Sequence, residues 1–276
     1  MLRMLAPLLA LLTLCLPLPA ALADASARLS RGFSFCGEPV PLNQGEIFEA
    51  VDQNLLLLSE ARSRVWMSLR RAGRFKPLVE GALRQAGLPD DLKYIPFVLT
   101  GFAPDHSGGG RGLWRLDEKT AKALGLRLDK DVDERLDPTA STAAAVKKLA
   151  ALKTAYGSWT SAAAAFVIGD EVYQKAVSEA GGEKNFYKLY FPGHQDQSAA
   201  MVLAGKLIFG HPAAFGYNQA EGRAWPPFSG RRVVVKKAST ARALAAGYKK
   251  DYKTFRDANP HLISGTVPKG VAVNVP

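Results

Sequence analysis

Apolar positions recur at helical spacing along most of this chain. From Glu46 onward, Ile47, Val51, Leu55 and Leu58 share one face, and the spacing predicts a helix to about Arg71 with Gly73 as its stop. Pro77 then sits near the start of a second helix that runs through Ala86 and ends at Gly87. A third helix carries Leu92, Tyr94, Ile95 and Val98, with Asp90 or Asp91 placed to accept hydrogen bonds from its free N–H groups. It ends near Thr100, and Pro96 falls within its first two turns, where proline costs less than in mid-helix. Asp117 is positioned to cap a helix through Leu124, stopped by Gly125. Asp137-Pro138 marks the next start, leading an alanine-rich helix over 140–156, and Ser158 caps another over 160–168. Further short helices fit 171–180, 183–190 and 198–209. No strand pattern appears before about residue 230.

The tail has a different rhythm. Arg232-Val233-Val234-Val235 and the alternating Val271-Ala272-Val273-Asn274-Val275 read as strands. Between them lie helical stretches at 240–246 and 252–259, the second stopped by Asn259-Pro260. The fold class is therefore mainly α: an irregular all-helical domain over 46–217, then a small β-α-α-β module over 231–276. Residues 24–45 read as an extended lead-in and 218–230, with Trp225-Pro226-Pro227, as a linker. Residues 1–23 carry a short positive start, an apolar run broken by prolines and a closing Ala21-Leu22-Ala23, the pattern of a cleaved secretory signal peptide. An uncleaved membrane anchor is the alternative. The proline-broken run is short for a span, and no membrane span is expected after cleavage.

Charge and composition sharpen this picture. At 47% hydrophobic, 276 residues suffice for a sizeable core, and the formal net charge is +11. Residues 229–276 hold ten Lys/Arg against Asp251 and Asp257, a local excess of +8. That suits a polyanionic partner or a well-solvated face. Without the signal segment one cysteine remains, Cys36, which has no intramolecular partner and reads as buried and inert. The four histidines show no metal-ligand spacing, and no metal or cofactor is expected. Ser107-Gly108-Gly109-Gly110 lacks the Gly-Lys-Ser/Thr continuation of a phosphate loop.

Four stretches carry a family resemblance. They are Leu88-Pro89-Asp90-Asp91-Leu92-Lys93-Tyr94-Ile95-Pro96; Gly112-Leu113-Trp114 with Thr120-Ala121 and Leu124-Gly125-Leu126; Asp133-Glu134-Arg135-Leu136-Asp137-Pro138 with Ser141-Thr142-Ala143-Ala144; and Lys206-Leu207-Ile208 through Phe215-Gly216-Tyr217. In this order they resemble a lytic transglycosylase of the soluble-type catalytic domain, in the membrane-bound murein transglycosylase D group. The resemblance spans about two-thirds of the chain. It implies a lysozyme-like α fold over a groove for peptidoglycan glycan strands, periplasmic localisation and no nucleic-acid partner. The tail resembles a LysM glycan-binding module through Val233-Val234-Val235, Asn259-Pro260 and the closing Val-Pro, with Ala238-Ser239-Thr240 where that family has Gly-Asp-Thr.

The departures concern chemistry. Glycosidic cleavage needs a carboxylic acid of raised pKa to protonate the leaving oxygen. In the resembled family a Glu directly after Tyr-Ile-Pro-x-Val does this, and here that position is Leu99. The family's next Ser is Thr100, its Trp-Gln is Trp114-Arg115, and its Ala-Ala-Tyr-Asn-x-Gly is Ala164-Ala165-Phe166-Val167-Ile168-Gly169. Its Glu-Thr near the last helix falls on His194-Gln195 and Ser198. The resemblance thus implies no catalytic residue and a substrate-binding set of Thr100, Trp114, Arg115 and Phe166. Three readings follow. One is a catalytically inactive peptidoglycan-associated protein, binding glycan or a periplasmic protein. Another is a diverged enzyme using Asp105, Asp117, Glu118, Asp170 or Glu171, each equally read as loop solvation, helix cap or exposed helix start. The third is a basic periplasmic adaptor for anionic polymer or lipid.

Overall fold

The computed structural model describes residues 32–104, 110–217 and 224–276. The signal segment, Asp105, His106 and residues 218–223 lie outside them. The chain begins with a short hairpin, β1 (Ser34–Phe35) against β2 (Glu38–Pro39). This pair was not expected, because its signal is only the turn Cys36-Gly37, both residues at positive φ. Glu38 from this hairpin accepts hydrogen bonds from Trp159 N, Thr160 N and Thr160 Oγ1 at 2.7–2.9 Å, so the lead-in closes the start of a distant helix. Burial, with help from Asp91 and Glu38, pushes the Cys36 thiol well above its ordinary range, so it stays protonated.

Helix α1 (Gly45–Glu60) and helix α2 (Arg62–Gln85) meet at Ala61, whose ψ of 46° breaks the run. The expected stop at Gly73 and restart at Pro77 do not occur: both lie inside α2. Gly73 serves another need. A Cβ there would sit 2.6 Å from the Trp225 carbonyl oxygen, so glycine admits the passing backbone of residues 224–228. That backbone donates from Trp225 N to Arg70 O (3.0 Å) and from Phe228 N to Arg74 O (2.8 Å). Asp90 and Asp91 make no side-chain cap. Asp91 instead accepts from Cys36 N and Lys206 Nζ, at 2.6 and 2.7 Å, because the hairpin and a later helix close over it.

Helix α3 (Tyr94–Thr100) follows, then α4 (Glu118–Ala123), α5 (Pro138–Tyr156), α6 (Trp159–Ile168), α7 (Asp170–Glu179) and α8 (Gln197–Gly210). Asp117, Asp137 and Ser158 cap α4, α5 and α6 as their sequence positions imply. The helix expected over 183–190 is only a 3₁₀ turn, Phe186–Lys188, since Ser161 Oγ takes the Phe186 N–H and ties the segment sideways. The α-helices enclose one apolar core running from Phe35 to Tyr217. The expected mainly α, lysozyme-like architecture holds.

The tail is a small β/α module. Strand β3 (Arg231–Val234) pairs antiparallel with β6 (Ala272–Val275), and β4 (Ser239–Thr240) pairs with β5 (Thr266–Val267). Helices α9 (Ala241–Gly247) and α10 (Tyr252–Asp257) lie between, capped by Thr240 and Asp251. Its core contains Phe255, Leu262, Val267 and Val273, and also Val132 from the helical domain. Val132 and Leu262 form a β-bridge, Asp133 N donates to His261 O (2.9 Å), and Ser264 Oγ donates to Asp131 (2.7 Å). Arg232 donates through both Nη atoms, at 3.1 and 2.7 Å, to the fully buried Asp137.

Two outcomes follow from this junction. Arg232→Ala leaves Asp137 buried with fewer donors, and thermal unfolding should register a loss of about 1–3 kcal/mol, with the neighbouring Arg231→Ala near zero. His261 is fully buried, with Nε2 3.0 Å from the Ala272 carbonyl oxygen. Burial holds its pKa below the ordinary 6.5 despite the opposing pull of Asp137 and that carbonyl, and Arg232 adds to the depression. The unfolded chain therefore binds the proton more tightly, so stability should decline as pH drops below about 6.5. A series of melting temperatures across that window, flattened in part by His261→Gln, is the check.

Candidate functional site

Helix α3 stops where it does because Gly101 and Phe102 both take positive φ, 59° and 57°. A side chain at Gly101 would meet Ser68 Oγ at 2.4 Å. The Thr100 hydroxyl lies within bonding distance of two carbonyls, Pro96 O (3.0 Å) and Leu113 O (2.8 Å), and so ties the helix end to the following loop. That loop folds into a narrow bridge between Arg111 and Leu116. Its two glycines are required by contact: a Cβ at Gly110 would lie 2.2 Å from Arg115 O, and one at Gly112 1.8 Å from Arg135 O. Arg111 donates to Asp133 (3.0 Å), which Arg135 also grips at 2.8–2.9 Å. The loop is thus fastened to residues 133–135, the same strip that receives the C-terminal module.

A cleft of ≈ 250 Å³ opens between this loop and three helices. Leu99 enters it from the end of α3, Trp114 to Asp117 from the loop, Lys148 from α5, and Phe166 to Gly169 from the end of α6. Trp114 is 1% exposed and donates its Nε1–H to Thr142 Oγ1 at 2.9 Å. Its ring meets Phe166 edge-on at 5.8 Å. Of the sequence-predicted set, Trp114, Arg115 and Phe166 therefore reach the cleft together. Thr100 does not line it, and its hydroxyl is taken up by backbone.

The carboxylates near the cleft among the described residues each have a polar partner. Burial works to raise the Asp117 pKa, but hydrogen bonds from the Thr120 side chain and backbone N–H, with Lys148 nearby, outweigh it and hold the carboxyl below its ordinary value. Glu118 pairs with Lys122, and Glu171 with Lys119. Asp170 accepts from the Tyr156 hydroxyl at 2.6 Å. Asp117 is thus not a proton-holding acid of the kind glycosidic cleavage needs. Among the described residues no cluster of three His, Cys, Asp or Glu is arranged to hold a metal.

Lys148 was missed by sequence reasoning. On an alanine-rich helix next to exposed Lys147 it looks like one more solvated charge, yet it is half-buried with Nζ 5.1 Å from the Phe166 ring centre. Burial lowers its pKa, with Asp117 and Asp170 opposing. A larger hollow of ≈ 310 Å³ lies between α2, α3 and α8, walled by Trp66, Tyr94 and Phe209. Its charges, Lys76, Glu80 and Lys93, pair with one another.

Residues 95–188, which begin in α3 and contain every element of the 250 Å³ cleft, match the Transglycosylase SLT domain. The segment around the cleft is thus similar to an SLT domain. Two curated relatives are similar to this chain, the membrane-bound lytic murein transglycosylases D of Escherichia coli strain K12 and of Escherichia coli O6:H1 strain CFT073. Each is 26% identical over 152 residues, which cover 53% of this chain and 34% of the relative. The match thus spans about a third of those relatives' length. Inside the SLT domain the fastening of loop to helix end is testable. Thr100→Val strands the buried Leu113 carbonyl, and denaturant unfolding should show a loss of about 1–3 kcal/mol.

Proposed function

We infer that this is an exported, cell-wall-associated protein whose SLT domain binds peptidoglycan without cleaving it. The observation that carries this reading is Leu99 in the cleft, at the place where the resembled family has its acid. Leucine neither gives nor takes a proton, and Asp117, the carboxylate that lines the cleft among the described residues, is held below its ordinary pKa. The residues that fasten the groove are kept, from the Gly110 and Gly112 loop to Trp114 on Thr142, so a shaped surface survives without its proton donor. The segment 1–23 supports export to the periplasm, and the β/α module at 231–276 is read as LysM-like. It is bonded into the SLT domain through Arg232 and Asp137 rather than tethered.

The basic tail favours one further reading, a charge-driven adaptor for anionic polymer or lipid, because ten cations face two acids over 229–276. Sedimentation with peptidoglycan sacculi separates the two. Release by moderate salt points to simple charge attraction, and retention points to a fitted groove. The decisive comparison is muropeptide release from sacculi by the native protein and by Leu99→Glu. The native protein should sediment with sacculi and release nothing. Anhydro-muropeptides released by the native protein would end the non-catalytic reading.

A further inference from the structure

Three sheltered cations elsewhere in this domain have carboxylate partners. Lys93 meets Glu80 and Asp90, Lys206 meets Asp91, and Arg135 meets Asp133. Lys148 has no carboxylate within 4 Å among the described residues, and its recorded neighbour is the face of Phe166. A half-buried ammonium has lost part of its water and gains little from a ring face in return. Such a site favours an arriving anion, because the charge–charge attraction is screened less there than in bulk water. The rest of the lining narrows the choice. Leu99, Phe166, Val167 and Ile168 present apolar surface, whereas Arg115 and Asp117 are the other charged groups. Asp117 and Asp170 act on Lys148 through space, and neither forms an ion pair with it among the described residues.

We propose that Lys148 makes this cleft a subsite for the carboxylate of a ligand whose apolar face lies over Phe166 and Ile168. The inference rests on the peptidoglycan-binding reading and names which part of that polymer the cleft takes: a carboxylate of the peptide, or the muramic acid carboxylate where no peptide is attached, and not the neutral amino sugar. Lys148 donates a charge-assisted hydrogen bond to the carboxylate, and the ring face and aliphatic wall take the sugar or side-chain carbons. No bond is made or broken. With Leu99 where the family has its acid, a subsite of this kind holds the strand.

The test uses the whole exported chain and three probes: N-acetylmuramic acid, its uncharged counterpart N-acetylglucosamine, and acetyl-Ala-Glu. Binding is read by amide NMR shifts at Ile168 and Gly169 and by calorimetry. The acid sugar, or the peptide, should bind about tenfold or more tightly than N-acetylglucosamine. Lys148→Met should abolish that difference, and Lys148→Arg should keep most of it. Preference for acetyl-Ala-Glu over the acid sugar assigns the carboxylate to the peptide, and the reverse assigns it to the sugar. Equal binding of all three probes, no binding of any, or a preference that survives Lys148→Met overturns the proposal. Sacculus sedimentation by the Lys148→Met protein separates the two levels. If it still sediments while the carboxylate preference was never present, the subsite is wrong and the wall-binding reading stands. If native protein does not sediment either, the wall-binding reading itself fails.

Discussion

The buried carboxylate of Asp137 joins three parts of the molecule that are distant in sequence. It accepts from Thr139 N and Ala140 N, which fixes the first turn of α5. It accepts the Arg232 fork, which holds the first strand of the tail module. Four residues earlier, Asp133 takes Arg111 and Arg135, which fixes the loop that walls the cleft. A fully buried carboxylate without such donors costs several kcal/mol, so the partners are obligatory. Helix start, groove loop and module are therefore positioned as one unit.

This explains the tail's behaviour as a small module. A unit of about 45 residues has little core of its own. It borrows Val132 and sets its Leu262 loop against 131–133. Its basic excess is in part structural, since Arg232 faces inward to Asp137 while Lys253 pairs with Asp257 on the surface. Arg256 donates to the Ser264 carbonyl oxygen at 2.8 Å, and Arg231, Lys236, Lys237, Arg242, Lys249 and Lys269 are exposed.

The cleft is built by close backbone approaches as much as by side chains. Gly110 and Gly112 let the loop lie against Arg115 and Arg135, Gly101 turns the chain beside Ser68, and Trp114 is locked by Thr142. These contacts keep a concave surface without requiring an acid at Leu99. Fold and chemistry are separable here because the residues that shape the groove are not the ones that would transfer a proton.

What the sequence determined by itself was local. Capping residues and helical spacing announced α5 through Asp137-Pro138, α6 through Ser158 and α4 through Asp117, because a cap acts within three residues and leaves a readable pattern. Thr100, Trp114, Arg115 and Phe166, with Leu99 at the acid position, were legible as a set only through the resemblance; the structure brings Leu99, Trp114, Arg115 and Phe166 to one cleft and leaves Thr100 off its lining. What only the tertiary structure decided was every role set by a distant neighbour. Gly73 looked like a stop and is a contact point for Trp225, since glycine's missing side chain serves both uses equally well. Asp91 looked like a cap and is a partner of Lys206, 115 residues away. Lys148 looked solvated and faces Phe166. Sequence spacing carries hydrogen bonds within a turn, but desolvation and charge pairing depend on which surfaces close over a residue, and that is fixed only when the helices pack.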